Sequence, residues 1–139
     1  MAKKFFAQLS LEFLLLLCLS LSLSLVFFVA LKHLFFTGLF ALDVQNASAF
    51  LLETEKKSET LSLFGEGSFE SLSANFFTQW ELYSKDDYLF LEVTSKDLNL
   101  SKKLLVFPSV KIISPVLSKK KKLSILIERN EDFILIKDN

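Results

Sequence analysis

The sequence predicts an α+β protein: a long N-terminal helix, partly transmembrane, packed on a small C-terminal antiparallel β domain. Three observations carry this. The run from Phe13 to Leu31 holds no formal charge. Beyond it, apolar residues keep a helical spacing, and no proline interrupts from Gln8 to Glu59. From Thr60 the pattern changes to period two, in short apolar runs parted by polar turns.

The uncharged run of 19 residues spans roughly 28 Å as a helix, close to the hydrocarbon thickness of a bilayer. Ser20, Ser22 and Ser24 alternate with leucines, which imitates a strand. A lone strand leaves its backbone unsatisfied in lipid, so a helix is expected. Each serine is expected to bond back to a carbonyl one turn earlier. The run exceeds the roughly 7–15 apolar residues of a secretory signal, and small residues come only later, at Thr37-Gly38 and Ala47-Ser48-Ala49. A retained anchor is therefore expected. Lys3, Lys4 and the amino terminus outweigh Lys32, which places the N-terminus in the cytoplasm and the C-terminal domain outside.

Phe36, Phe40, Val44, Ala47 and Leu51 recur at spacings of four and three. They form one stripe of an amphipathic helix facing the C-terminal domain. Gly38 bends such a helix without ending it. The polar cluster from Glu53 to Glu59 marks its end, giving one helix from about residue 8 to about residue 57.

In the remainder, Phe76, Thr78, Trp80 and Leu82 share one strand face, and Leu89, Leu91 and Val93 share a face of the next. Ser84-Lys-Asp-Asp87 is the turn of this hairpin. Leu123, Ile125 and Ile127, then the turn Arg129-Asn-Glu-Asp132, then Phe133-Ile-Leu-Ile136 make a second hairpin. Weaker strands are expected over 61–64, 68–72, 103–107 and 110–113. Pro108 and Pro115 confine their neighbours to edges or bends. The strands form either a meander with one face on the helix stripe or a small sandwich.

Composition excludes several classes. The formal net charge is zero, so nothing global points to nucleic acid. The single cysteine, Cys18, forbids an intrachain disulfide and lies within the apolar run. The only histidine, His33, has no second ligand spaced near it. No Ser/His/acid grouping, glycine-rich phosphate loop or Cys/His cluster is present, so no catalytic, cofactor or metal residue is assigned and an enzyme is not expected. Lys119-Lys-Lys-Lys122 precedes an apolar strand. It reads as a solvated turn guarding that strand against aggregation. The competing reading is an anion-binding patch for DNA or an acidic polymer, but no aromatic residue interleaves the run.

The stretch Lys3-Lys4…Ala7-Gln8-Leu9-Ser10-Leu11-Glu12-Phe13-Leu14-Leu15 resembles the class III signal peptide of archaeal type IV pilin-like proteins. In that family a prepilin peptidase removes a short basic leader just before a Gln, and the mature chain begins Gln-x-Ser-x-Glu. The resemblance implies cleavage between Ala7 and Gln8, with Gln8, Ser10 and Glu12 as assembly residues. Phe5 and Phe6 separate Lys4 from Ala7, whereas the family commonly sets basic residues directly against the small residue. The implied division is a leader over 1–7, a transmembrane and assembly helix over 8–31, its extracytoplasmic continuation over 32–59, and a β domain over 60–139.

The physics of the motif is coherent. A Glu12 carboxylate among helices of identical subunits can pair with the new amine of a neighbouring Gln8, which fixes axial register. Repetition of one such contact gives an open helical filament. The resemblance therefore implies a subunit of an archaeal type IV pilus-like surface filament, with an adhesive role open to its β domain. Its partners would be other pilin subunits, the prepilin peptidase, an assembly ATPase and a membrane platform protein. Asn46-Ala-Ser48 and Asn99-Leu-Ser101 fit the N-glycosylation pattern, and the topology places both outside. The alternative is an unprocessed single-pass membrane protein whose external β domain binds a partner.

Overall fold

The computed structural model describes the backbone of residues 2–139 and the side chains of residues 11–139. Helix α1 runs over Ala2–Ser62 and is followed by eight strands. These are β1 Phe69–Asn75, β2 Gln79–Lys85, β3 Tyr88–Ser95, β4 Leu100–Val106, β5 Ile112–Ile113, β6 Leu117–Lys119, β7 Lys122–Arg129 and β8 Ile134–Asp138. The chain divides into two units, Met1–Phe36 and Thr37–Asn139. In the second, the rest of α1 and the β domain bury one core.

The expected stripe of α1 is present. Ala47 and Leu51 are buried, and Phe40 and Val44 pack partly buried against the core. Phe36, the first member of the stripe, falls in the first unit. The buried face also includes Asp43, Phe50, Thr54, Ser58 and Leu61. Thr54 and Ser58 read as polar in sequence, yet each donates its hydroxyl within the helix, to Phe50 O at 2.8 Å and to Thr54 O at 2.7 Å. A hydroxyl satisfied in this way can be buried at little cost. The stripe therefore continues through the polar cluster to Leu61, and α1 ends at Ser62 instead of near Lys57. Residues 61–64, expected as a strand, are the last turn of α1 and the turn that closes it. Leu63 N and Phe64 N donate to Thr60 O and Leu61 O, the tighter spacing common at helix ends. Gly67, at φ 82°, then redirects the chain into β1.

The strands form two four-stranded sheets, ordered β1-β7-β8-β5 and β4-β3-β2-β6. Two sheets replace the single-meander alternative. One pairing departs from the antiparallel expectation, because β5 runs parallel to β8. Parallel partners need a long connection, and β5 and β8 are separated by β6 and β7. Pro108 and Pro115 bracket the short strand β5, and β5 and β6 are both sheet edges, as prolines require. Both expected hairpins are present. Asp86 and Asp87, at φ 51° and 64°, form a two-residue turn joining Lys85 to Tyr88, the left-handed pair that matches strand twist. Asn130 N donates to Phe133 O across the turn between β7 and β8.

Inward positions alternate along the central strands. Trp80, Leu82, Leu89, Leu91 and Val93 from one sheet meet Leu123, Ile125, Ile127, Ile134 and Ile136 from the other, all fully buried in the same cluster. The Trp80 ring stacks on Phe76 at 4.3 Å and meets Phe50 of α1 edge-on at 5.8 Å. These aromatic pairs tie α1 to the β1–β2 connection.

A buried carboxylate tightens that tie. Asp43 is fully buried on α1. Its Oδ2 accepts hydrogen bonds from Phe77 N at 2.8 Å, Thr78 N at 2.7 Å and Thr78 Oγ1 at 2.7 Å. Hydrogen bonds to an ionised acceptor are worth about 1.5–3 kcal/mol each. Asp43→Ala strands the donors of residues 77 and 78 and should cost on the order of 3 kcal/mol. Denaturant unfolding followed by the fluorescence of Trp80, the only tryptophan, measures it. An unchanged midpoint would remove the clamp from the account of stability.

Candidate functional site

The described side chains from Leu11 to Phe35 are all exposed, and most are Leu, Phe or Val. A helix apolar on every side does not stay in water. This one is long and apolar enough to cross a membrane. The three serines do not oppose that. Ser20, Ser22 and Ser24 donate to Leu17 O at 3.0 Å, Cys18 O at 2.7 Å and Ser20 O at 2.8 Å. Each hydroxyl proton is thus satisfied within the helix, as the sequence suggested. At the far end of the run the Lys32 ammonium lies 5.8 Å from the Phe36 ring centroid, and Phe35 meets Phe36 edge-on. A cation held against aromatic rings suits the boundary of an apolar layer.

Glu12 is exposed on α1 at the opening of the run. Among the described residues it takes part in no ion pair. The side chains of Lys3, Lys4, Ala7, Gln8 and Ser10 lie outside the described residues. The Glu12 carboxylate stands just before the uncharged run from Phe13 to Leu31. No group of three His, Cys, Asp or Glu side chains among the described residues is arranged to hold a metal ion.

The two candidate glycosylation sites differ. Asn99 is exposed in the β3–β4 turn at φ 52°, the surface-loop setting expected of an acceptor. Asn46 is also exposed but belongs to the continuous helix α1, with Ser48 half-buried beside it. The lysine run spans the end of β6, the turn and the start of β7. Lys119 pairs with Asp138, and Lys120, Lys121 and Lys122 are exposed.

One further surface is carried by no sequence motif. On the outer side of the β4-β3-β2-β6 sheet, Tyr83 stacks on Phe90 at 5.3 Å, and Tyr88 lies 6.0 Å from Phe90 and 5.1 Å from Phe107. Lys103 sits above Phe90 at 4.2 Å and Tyr83 at 5.3 Å. Its signal was available: Phe90 alternates with the core residues Leu89 and Leu91, so it must point outward.

No family model matches the chain, and neither a curated protein nor a solved structure shows significant similarity to it.

The exposed Cys18 thiol tests where the helix resides. With the chain in native membranes, an apolar maleimide should label Cys18, while a charged, membrane-impermeant one should label it at least tenfold less until detergent is added. Equal labelling by both reagents would place Cys18 in water.

Proposed function

We propose that the chain is a pilin-like subunit of an archaeal type IV filament, held in the membrane and then assembled through its N-terminal helix. The observation that carries this reading is a helix exposed and apolar on all sides with one carboxylate, Glu12, where the apolar surface opens. Lipid accepts the apolar surface, and close packing with identical helices accepts it equally. The carboxylate distinguishes the two settings, because among packed helices it needs a positive partner. The resemblance at residues 3–15 supplies one, the amine freed at Gln8 of a neighbour.

In this reading the basic leader stays cytoplasmic and the β domain lies outside, forming the filament surface. The outer aromatic face of the β4-β3-β2-β6 sheet is the surface available for adhesion. Partners are further pilin subunits, a prepilin peptidase, an assembly ATPase and a platform protein. The function is structural, without catalysis.

The amino-terminal residue of the protein purified from its native membranes is the direct test. Mass spectrometry of the terminal peptide should find Gln8. A chain that keeps residues 1–7 is instead an unprocessed single-pass anchor, with its β domain as the binding module. Glu12→Ala should insert into the membrane as the unaltered chain does, yet be lost from sheared filaments by tenfold or more. Undiminished incorporation would remove the charge pair from the mechanism.

A further inference from the structure

The lysine run and the β1–β2 connection are distant in sequence but adjacent in the fold. Asn75 pairs with Lys122 across the β1–β7 ladder, and Trp80 pairs with Lys119 across β2 and β6. Between these rungs, Phe76 N donates to Lys121 O at 3.0 Å. The basic turn therefore lies against residues 76–78. Phe76 is buried on Trp80, whereas the next residue, Phe77, is 67% exposed. Its outward placement is imposed, because Asp43 holds the backbone N–H groups of Phe77 and Thr78. The backbone thus brings the exposed Phe77 and the exposed Lys120, Lys121 and Lys122 to one end of the β domain, around the contact from Phe76 N to Lys121 O. None of these three takes part in an ion pair among the described residues. Asp43 is engaged by residues 77 and 78, and Asp138 by Lys119.

We propose that this surface, Phe77 with Lys120, Lys121 and Lys122, docks on the anionic headgroups of the bilayer in which the chain is anchored. The proposal rests on the membrane-anchoring part of the function given above. An aromatic ring beside unpaired lysines matches the interface, where the ring enters the headgroup layer and the ammonium groups meet phosphates. Connectivity favours the bilayer further. Asp43, which positions Phe77, lies twelve residues after Leu31, the end of the apolar run. Tethering at that distance makes the second contact intramolecular and raises its effective concentration. A second copy related by two-fold symmetry would set lysines against lysines. Nucleic acid is disfavoured because the formal net charge is zero, so no broad basic field draws a polyanion. Docking would hold the β domain at the membrane before assembly, and high salt or loss of anionic lipid would release it.

The full-length chain carrying Phe77→Trp, reconstituted in phosphatidylcholine vesicles with or without about one third phosphatidylglycerol, reads this contact. A headgroup spin-labelled lipid is the quencher. The unaltered chain, whose buried Trp80 is the only tryptophan, supplies the background. Quenching of the added tryptophan should be about twofold or more stronger in anionic vesicles, and high salt should abolish the difference. Lys120→Gln with Lys121→Gln should abolish it as well, and the same two substitutions in the chain that keeps Phe77 should leave Trp80 emission unchanged, which shows an intact fold. Protein that floats with both kinds of vesicle but is quenched equally in each overturns the docking and leaves the anchor standing. Protein that does not float with vesicles overturns the anchor, and the docking with it. Salt-sensitive binding of duplex DNA by the inserted chain, with no gain in quenching from anionic lipid, also overturns the proposal.

Discussion

The second unit depends on the contact between Asp43 of α1 and the backbone of residues 77 and 78. An apolar stripe on a helix is permissive, because sliding by one turn offers a similar surface to the sheet. Hydrogen bonds are directional and do not allow such a shift. Three donors converge on one carboxylate oxygen, so α1 meets the β1–β2 connection in a single register. That register brings Phe50 to Trp80 and holds Phe76 stacked on it. It also decides which of two consecutive phenylalanines is buried. Phe76 enters the core and Phe77 faces outward.

The same chemical device serves both parts of α1. A serine or threonine hydroxyl donates to a carbonyl about one turn earlier, so its proton is satisfied without leaving the helix. In the apolar run this leaves the hydroxyl protons of Ser20, Ser22 and Ser24 bonded within the helix, as crossing a membrane requires. In the second unit it lets Thr54 and Ser58 occupy core-facing positions between Leu51 and Leu61. What the helix meets differs between the two parts. The apolar run presents leucine and phenylalanine all round, whereas the later turns offer one buried face.

Charged side chains manage the sheet edges. β1 is an edge strand, and Lys57 of α1 donates to Ser71 O at 3.3 Å while pairing with Glu70. A cation from the helix thus occupies a carbonyl otherwise open to another strand. At the edge of the other sheet, β4 carries the consecutive Lys102 and Lys103, both exposed and on opposite faces of the strand. Antiparallel pairing of two β4 edges would bring these lysines together. These charges oppose indiscriminate strand addition at the two edges.

Sequence by itself determined the elements whose signal is periodic and local. The uncharged run from Phe13 to Leu31, the stripe through Ala47 and Leu51, and the hairpins around Asp86-Asp87 and Asn130 follow from spacing and turn chemistry alone. The resemblance around Gln8 and Glu12 is likewise a property of local sequence. Tertiary structure decided everything that rests on a partner distant in the chain. Asp43 reads as an ordinary polar residue until residues 77 and 78 arrive to donate to its Oδ2. Thr54 and Ser58 read as the end of a helix until their hydroxyls are seen to turn inward along it. The parallel pairing of β5 with β8 and the contact of Phe76 N with Lys121 O in the lysine turn depend on how the strands are ordered in the two sheets. Periodicity reports which face of an element is apolar. It carries no information about which distant group will meet a buried charge, because that is settled only when the elements pack.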